Sequence, residues 1–406
     1  MDDDRGIAGI VDWLVAGAHS AATPDAVLHE MCERVLVSGI PIWRVAAFIR
    51  TLHPEIMGRR LEWREGAGTT AHEASFAIFD SDAFRGSPVA RVYQEGQPLR
   101  VRLDNPATGE FPQLDDLRAE GGTDYLAVPF RFSNGEIHVG TWSTRAPGGF
   151  TEAQVSALHR LTEPLTRVAE IRALRRTAIN LLDTYVGNAA GARILAGRIR
   201  RGFTETIRAV IWLSDMRGFT ALADHIDPAA LIALLNRYFD CQVPAILAHG
   251  GEVLKFMGDG LLAIFPLGAE SDPASVCQAA LAAAAETRAA VAALGDWPRL
   301  APSAGPRFGL ALHVGELLYG NIGGGRRLDF TCIGPAVNLA ARLEGLASRL
   351  GRTTLLSADF ARHCGREPFR SASSRSPVSA PRCRYSGSPR TVVSADLVER
   401  RMPERI

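Results

Sequence analysis

The order of apolar segments between residues 207 and 360 constrains the fold of this chain most strongly. Strand-like and helical stretches follow one another there as strand, helix, hairpin, helix, strand, strand, helix and strand. They are Ala209–Ser214, Pro228–Leu247, Glu252–Phe265, Pro273–Leu294, Arg307–Val314, Leu328–Ile333, Pro335–Ser348 and Thr353–Leu356. A βαββαβ order predicts a ferredoxin-like sheet with helices on one face. The predicted fold class is therefore α/β in the broad sense, of the α+β type, and this domain spans residues 206–366.

Residues 1–166 are predicted to form a separate α+β domain. Thr23–Val37 is expected to be an amphipathic helix with Thr23 as its N-cap and a proline in its first turn. Strand-like runs and a closing helix follow at Trp43–Ile49, Tyr125–Phe130, His138–Ser143 and Glu152–Ile171. The stretch LAVPFRFSNGEIHVGTWSTRAPGGFTEAQ resembles part of a GAF-type sensor domain. That resemblance implies a regulatory signal, either a small molecule or a protein, whose identity the sequence leaves open.

A helical linker is predicted over residues 167–205. Six apolar residues recur there at intervals of three or four positions, namely Val168, Ile171, Leu174, Ala178, Leu181 and Tyr185. This spacing suits a short parallel coiled coil, although a helix packed on its own domain would give the same pattern. The six residues form an apolar seam along the helix, and glycines between Gly187 and Gly202 are expected to end this seam.

Charge and composition exclude several functional classes. The 406 residues carry a net charge of +1, so no basic field indicates a nucleic-acid partner. No apolar run reaches the ~18–20 residues of a transmembrane helix. The N-terminal MDDDRG lacks the basic start of a secretory signal, and the six cysteines include no CxxC pair. A cytoplasmic protein without a membrane span is therefore expected.

Two aspartates lie where strands are predicted to end. Asp215 closes an apolar strand in SDMRGFT, and Asp259 lies at a hairpin turn in KFMGDG, between Gly258 and Gly260. The glycines allow the backbone and a phosphate to approach closely. Carboxylates at neighbouring strand ends can hold two divalent cations that activate a hydroxyl and neutralise a phosphate. Either aspartate alone is equally typical of an ordinary turn.

The only lysine among the 45 basic residues is Lys255, which lies just before this hairpin turn. Lysine presents a compact ammonium, whereas arginine presents a planar fork of five donors. A single lysine in an arginine-rich chain therefore suggests a site that the fork does not fit, unless the lysine survives by chance. A third segment, LDFTCIGPAVNLAARLE, places Asn338 and Arg342 four residues apart on one helix face. The amide can position a ribose, and the guanidinium can bind an oxyanion through two hydrogen bonds.

Together, SDMRGFT, GGEVLKFMGDG, GNIG and DFTCIGPAVNLAARLE resemble the class III adenylate/guanylate cyclase family. The resemblance implies that Asp215, Asp259 and the backbone carbonyl of Met216 bind two divalent cations, Mg²⁺ or Mn²⁺. It also implies catalytic roles for Asn338, which would orient the ribose, and for Arg342, which would stabilise the transition state at the α-phosphate. The expected reaction is the conversion of ATP into 3′,5′-cyclic AMP and pyrophosphate.

The same resemblance implies that Lys255 and Thr331 bind the adenine. An ammonium donates to adenine N1, whereas guanine carries a hydrogen there and would need an acidic partner. Threonine rather than aspartate at position 331 is similar to the bicarbonate-responsive subgroup. The family's sites lie at the interface of a homodimer. One protomer supplies the metal-binding aspartates and the other supplies the remaining residues.

Three features depart from the family pattern. Pro335 stands where aspartate is common, and a proline is compatible with the first turn of a helix. Gly309 stands where some relatives have a phosphate-binding arginine, and Arg307, on the same strand face, is the candidate replacement. Residues 367–406 are rich in Ser, Pro and Arg, where relatives continue with β-structure. This tail is predicted to be disordered or the product of a shifted reading frame.

Three other functions share features with this sequence. A diguanylate cyclase would carry GG-[DE]-EF at the hairpin where this chain has MGDG. A guanylate cyclase would require an acidic residue in place of Lys255. A catalytically impaired cyclase fold that acts as a signalling or interaction module remains open because of the atypical tail.

Overall fold

The computed structural model describes residues 2–104, 111–295, 307–325, 327–365 and 392–394. The chain separates into two compact units, Met1–Thr184 and Tyr185–Ile406. Apart from 392–394, the tail predicted to be disordered or frame-shifted lies outside the described residues. Among the helices in the described ranges, none combines the length and the apolar character needed to span a bilayer.

An antiparallel sheet of six strands forms the middle of the first unit. The strands are β1 (Arg44–Arg50), β2 (Ile56–Arg64), β3 (Gly68–Ser75), β4 (Leu99–Arg102), β5 (Asp124–Arg131) and β6 (Ile137–Thr144). Their order across the sheet is β3-β2-β1-β6-β5-β4. The three strands predicted from the sequence coincide with β1, β5 and β6 to within a residue at each end. Strands β2, β3 and β4 were not predicted from the sequence.

Helices cover both faces of this sheet. They are α1 (Asp2–Val15), α2 (Pro24–Val37), α3 (Phe76–Asp80), α4 (Asp82–Arg85), α5 (Pro88–Glu95), α6 (Asp115–Ala119) and α7 (Glu152–Val186). Helices α1, α2 and α7 pack on one face, around the buried Trp63 and Trp142. The short helices α4 to α6 pack on the other face, near Trp43 and Tyr125. The predicted N-cap of α2 is confirmed, because Thr23 Oγ1 accepts a hydrogen bond from Ala26 N at 3.2 Å.

Helix α7 runs without interruption from Glu152 through the predicted start of the linker at residue 167. Val168 is buried in the core of the first unit. Ile171, Leu174 and Leu181 are 64%, 58% and 39% exposed. The seam is thus buried at its beginning and open to solvent further along the helix. The coiled-coil partner of this seam remains a prediction.

The second unit is built on a larger sheet. Its strands are β7 (Thr204–Met216), β8 (Glu252–Met257), β9 (Gly260–Leu267), β10 (Phe308–Gly324), β11 (Arg327–Ile333), β12 (Thr354–Ser357) and β13 (Val392–Ser394). Its helices are α8 (Asn188–Leu195), α9 (Phe219–Ala223), α10 (Pro228–Asp240), α11 (Val243–Ala248), α12 (Pro273–Ala292), α13 (Pro335–Leu350) and α14 (Ala358–His363). The strand order is β13-β12-β10-β7-β9-β8, and β11 pairs with β10.

The central strands β10-β7-β9-β8 pair antiparallel. This order is the one that a ferredoxin-like βαββαβ unit forms, with α10 and α12 as its two connecting helices. The predicted helix Pro228–Leu247 is in fact two helices, α10 and α11, because Pro244 in the first turn of α11 cannot continue the hydrogen bonding of α10.

Two further expectations about this sheet need correction. Strand β10 continues to Gly324, well beyond the predicted end at Val314, because its second half pairs with β11. The expectation of helices on one face alone is wrong, since α13 packs on the opposite face from α10 and α12. On that face Ile211 and Leu262 of the sheet cluster with Phe330 of β11 and Ala340 of α13.

Candidate active site

Asp215 and Asp259 meet where β7 ends and the β8–β9 hairpin turns. β7 pairs with β9, so Ser214 lies opposite Leu261 and the hairpin turn lies beside the end of β7. A Cβ atom at Gly260 would stand 3.2 Å from the Ser214 carbonyl oxygen and 3.4 Å from Asp215 Oδ1. Glycine at this position therefore lets the turn approach the end of β7 closely. The predicted proximity of the two aspartates is present in the structure.

The electrostatic environment of this pair is unfavourable to two free carboxylates. The pKa of Asp215 is raised to about 7, chiefly by burial. The hydrogen bond with Asp259 and the charges of Asp259 and Glu344 raise it further, while the charge of Arg217 opposes them. A cation between the carboxylates would replace the shared proton and remove the repulsion.

The donor set fits a divalent cation such as Mg²⁺ or Mn²⁺. Carboxylate and carbonyl oxygens are the ligands that these hard cations prefer. Met216, the last residue of β7, offers its backbone carbonyl next to Asp215. In the part of the chain that the structure describes, no group of three or more His, Cys, Asp or Glu side chains surrounds a common point. The two aspartates and the Met216 carbonyl are the oxygen donors at this end of β7 that could hold such a cation.

An ion pair beside the aspartates was not identified from the sequence. Arg217 and Glu344 approach to 2.9 Å, and their side chains are only 17% and 13% exposed. The pair ties the turn after β7 to α13. Two residues in the sequence could have indicated this ion pair. They are Arg217 in SDMRGFT, two positions after Asp215, and Glu344, the last residue of LAARLE.

The side chains of this ion pair occupy the space next to Gly309. Gly309 lies opposite Asp215 in the ladder between β7 and β10. A side chain at this position would overlap the guanidinium of Arg217. Arg307, the predicted replacement for the missing phosphate-binding arginine, is exposed and lies just before β10 rather than within it. Its carbonyl accepts a hydrogen bond from Arg217 N at 2.9 Å, which keeps it at the same end of the sheet as the aspartates.

Lys255 and Thr331 form a second group. Lys255 Nζ donates to Asp329 Oδ2 at 2.7 Å, which joins β8 to β11. Thr331 follows two residues later on β11 and is 5% exposed. Its Oγ1 is buried and has no hydrogen-bond partner among the described residues. A buried hydroxyl without a partner indicates a place where a polar group of a ligand or a water molecule completes the structure.

Asp329 was not singled out from the sequence, although its position offered a signal. Residues two apart on a strand point to the same face, so Asp329 and Thr331 share a face of β11. The single lysine of the chain, whose role was inferred from its rarity, is thus held by a carboxylate beside Thr331.

Asn338 and Arg342 are both exposed on α13, and Ala340 and Leu343 are buried on its opposite side. Within the described segments, neither Asn338 nor Arg342 makes a side-chain hydrogen bond or ion pair. The site residues inferred from the sequence therefore lie in three groups: the two aspartates, the Lys255–Thr331 group, and the exposed pair on α13.

The chain is similar to known proteins over part of its length. No protein-family model matches the chain. The chain is 31% identical over 168 residues to an adenylate cyclase of Anabaena cylindrica, a match that covers 41% of this chain and 32% of that protein. It is 31% identical over 153 residues to adenylate cyclase 1 of Rhizobium meliloti (strain 1021), covering 37% of this chain and 22% of that protein. The chain therefore spans a third or less of the length of these curated relatives.

Solved structures are also similar to part of this chain. The adenylyl cyclase CyaB from P. aeruginosa is 30% identical, with a TM-score of 0.33, over 40% of this chain and 82% of that chain. Both of the curated relatives described above are named adenylate cyclases, and the similar solved structures include both adenylyl and guanylyl cyclases.

Proposed function

We propose that this chain is an adenylate cyclase that converts ATP into 3′,5′-cyclic AMP and pyrophosphate, under the control of its first unit. The observation that carries this proposal is the carboxylate pair of Asp215 and Asp259 at two adjacent strand ends. The pKa of Asp215 is raised chiefly by burial and further by the hydrogen bond and charge of Asp259, which fits two carboxyl groups held close together. The adenylate cyclases among the curated relatives support the same function.

In this proposal Asp215, Asp259 and the Met216 carbonyl hold two divalent cations. When bound, the cations would activate the ribose 3′-hydroxyl and neutralise charge at the α-phosphate. Asn338 orients the ribose through its amide, and Arg342 donates to the oxygens of the α-phosphate as negative charge develops there. Arg307, whose side chain is exposed near the aspartates, is the candidate contact for the remaining phosphates.

Lys255 and Thr331 are proposed to bind the adenine. The Lys255 ammonium would donate to N1, and the buried Thr331 hydroxyl, which has no partner among the described residues, would accept from the 6-amino group. A guanine would instead present a hydrogen at N1 and an acceptor at position 6. ATP is therefore favoured over GTP as the substrate.

The site is proposed to be completed in a homodimer. Within the described residues, the side chains of Asn338 and Arg342 make no hydrogen bond or ion pair with either other group, as expected if they act on a substrate bound to the aspartates of a second protomer. Several large apolar side chains of the second unit are also exposed. Phe256 and Met257, just before the hairpin turn, are 52% and 43% exposed, and Leu318 and Ile333, paired between β10 and β11, are 41% and 45% exposed. Such apolar residues are typical of an interface.

The direct test is cyclic nucleotide formation by the purified chain. With ATP and Mn²⁺ or Mg²⁺, chromatography should detect cyclic AMP and an equal amount of pyrophosphate. The matched variant Asp259→Asn should lose this activity. Cyclic GMP from GTP as the main product would favour a guanylate cyclase. A folded dimer that binds ATP without turnover would favour the impaired signalling module.

Asp215 should make the metal-free protein less stable as pH rises. The raised pKa means that between about pH 4 and pH 7 the folded state keeps a proton that the unfolded state has lost, so stability falls across this window. Because Asp215 is only half-buried, we expect Asp215→Asn to gain about 1 kcal/mol at pH 8, or roughly 2–4 °C in Tm, and little at pH 4.

Thermal unfolding with and without Mn²⁺ provides the measurement. Mn²⁺ should raise the Tm of the unmodified protein at pH 8, above the raised pKa of Asp215, and should have little effect on Asp215→Asn. The control is Asp240→Asn, at the exposed end of α10. If both variants respond to pH and Mn²⁺ as the unmodified protein does, the carboxylate pair does not bind the metal.

Asp329 should act as a positioning residue for Lys255. Asp329→Asn removes the charge that fixes the ammonium, and losing one charge-assisted hydrogen bond should raise KM for ATP by about tenfold with a smaller change in kcat. Glu270→Gln, at an exposed loop position, is the control. Steady-state kinetics would contradict this role if kcat fell while KM stayed constant, because that pattern would place Asp329 in the chemical step.

A further inference from the structure

The first unit contains a cavity of about 460 Å³ between its sheet and the short helices α3 to α6. This volume lies in the range of small-molecule sites. The helical side is apolar and is formed by Ile78, Phe79, Phe84, Val89, Leu114 and Leu117. The sheet side carries Arg44, Arg50 and Arg60. The cavity thus has one apolar wall and one cationic wall.

The arginines of the sheet wall outnumber the carboxylates that face them. Glu62 is 5% exposed and lies 2.6 Å from Arg44, 3.5 Å from Arg60 and 2.8 Å from Arg64. Burial alone would raise its pKa, but these arginines outweigh burial and lower the pKa to about 2. Arg44 and Arg60 therefore share one carboxylate, whereas Arg64 also pairs with Glu120 at 2.6 Å. The buried Nε atom of Arg44 has no hydrogen-bond partner among the described residues, and that of Arg60 has only its 3.5 Å ion contact with Glu62.

Arg50 adds a positive charge beside Arg60. Phe48 lies opposite Arg60 and Arg50 lies opposite Gly58 in the β1–β2 ladder, so the two arginines are diagonal neighbours on one face of the sheet. The Arg50 guanidinium lies 6.0 Å from the centre of the Phe79 ring and has no carboxylate partner within the described ranges.

Most other polar side chains of the lining are already engaged. Ser81 and Ser87 cap α4 and α5. Tyr93 donates to the Phe48 carbonyl at 2.9 Å, and Gln113 donates to the Ala83 carbonyl at 2.8 Å. The lining carboxylate Glu73 pairs with Arg59 at 2.9 Å. A ligand rich in hydroxyl groups would find few free partners, whereas an anion would find unpaired guanidinium donors.

We propose that this cavity binds a small aromatic carboxylate. Its carboxylate group lies against Arg50 and Arg60, and its ring lies among Phe79, Phe84 and Val89. One negative charge offsets the excess of guanidinium groups, and the ring covers the apolar wall, including Ile78, which is now 46% exposed. This ligand site does not depend on cyclase activity, because it is defined by direct binding to the first unit.

Calorimetric titration of the full-length protein with 4-phenylbutyrate tests the proposal. The neutral 4-phenylbutanamide has the same shape without the charge, and should bind about tenfold more weakly. Arg50→Gln should weaken phenylbutyrate binding by about tenfold without leaving any carboxylate unpaired. The control Arg85→Gln removes the same charge from an exposed position on α4 outside the lining, and should bind as the unmodified protein does.

A second pair of variants tests the position of the ligand. Ala74→Trp, on β3, fills the edge of the cavity and should abolish binding, whereas Ala71→Trp, at an exposed position of the same strand, should not. Circular dichroism verifies that each variant is folded. The proposal is overturned if phenylbutyrate does not bind, if the acid and the amide bind equally, or if both tryptophan variants behave alike.

Discussion

A mixture of two inactive variants, Asp215→Ala and Arg342→Ala, should regain about a quarter of the wild-type cyclase activity. Asp215→Ala removes a carboxylate that would bind both cations. Arg342→Ala removes a transition-state donor, at a cost on the order of 10²-fold in kcat. In a homodimer with shared sites, each site takes its aspartates from one protomer and its arginine from the other. A mixed dimer then contains one site with both defects and one site with none.

The expected recovery follows from twofold symmetry. Random pairing makes about half of the dimers mixed, and each mixed dimer has one intact site of two, which gives roughly a quarter of full activity. Fluorescence transfer between labelled protomers verifies that subunits exchange. The control is a mixture of Asp215→Ala with Asp259→Ala, which should stay inactive because both lesions fall on the same half of the site. Exchange without recovery would mean that each protomer holds a complete site.

Lys255→Glu combined with Thr331→Cys should shift the preference from ATP toward GTP by about 10- to 1,000-fold. The ammonium that would donate to adenine N1 is replaced by a carboxylate that can accept from guanine N1–H. The threonine hydroxyl is replaced by a thiol, which is a weak donor and a poor acceptor. Mispairing a buried polar contact costs about 1–3 kcal/mol, and a combined change of about 1.4–4 kcal/mol over the two contacts corresponds to this range.

Ratios of kcat/KM for the two nucleotides measure this change. Because Lys255 is paired with Asp329, the single variant Lys255→Glu would place two carboxylates together, and the triple variant with Asp329→Asn separates that repulsion from base recognition. The control is Arg349→Glu, which changes charge equally at an exposed position near the end of α13. If the double and triple variants both keep the original preference for ATP, Lys255 does not contact the base.

Much of the fold of the second unit could be predicted from local patterns. Runs of apolar residues and the glycines and prolines between them predict strands and turns, because backbone hydrogen bonding and steric limits act over a few residues. The proximity of Asp215 and Asp259 followed from the same patterns, since each aspartate ends a strand of the same small sheet. The rarity of Lys255 drew attention to a residue that the structure holds with a charged partner.

The contacts between distant segments could not be predicted in this way. Strand β10 extends to Gly324 because β11 pairs with it, and nothing in the local pattern fixes that pairing. The Arg217–Glu344 ion pair joins residues more than a hundred positions apart, and it occupies the space over Gly309, where the family resemblance implies a phosphate-binding arginine in some relatives.

The sequence by itself determined which acidic, basic and hydroxyl side chains lie at strand ends and on one face of a helix. Only the tertiary structure decided their surroundings, namely the burial that raises the pKa of Asp215 and the carboxylate that pairs with Lys255. It also decided that one wall of the cavity in the first unit carries arginines while the other is apolar. The physical reason is that desolvation and ion pairing depend on distances in space between atoms. Local sequence patterns constrain such distances within one helix or strand, whereas packing sets them between elements.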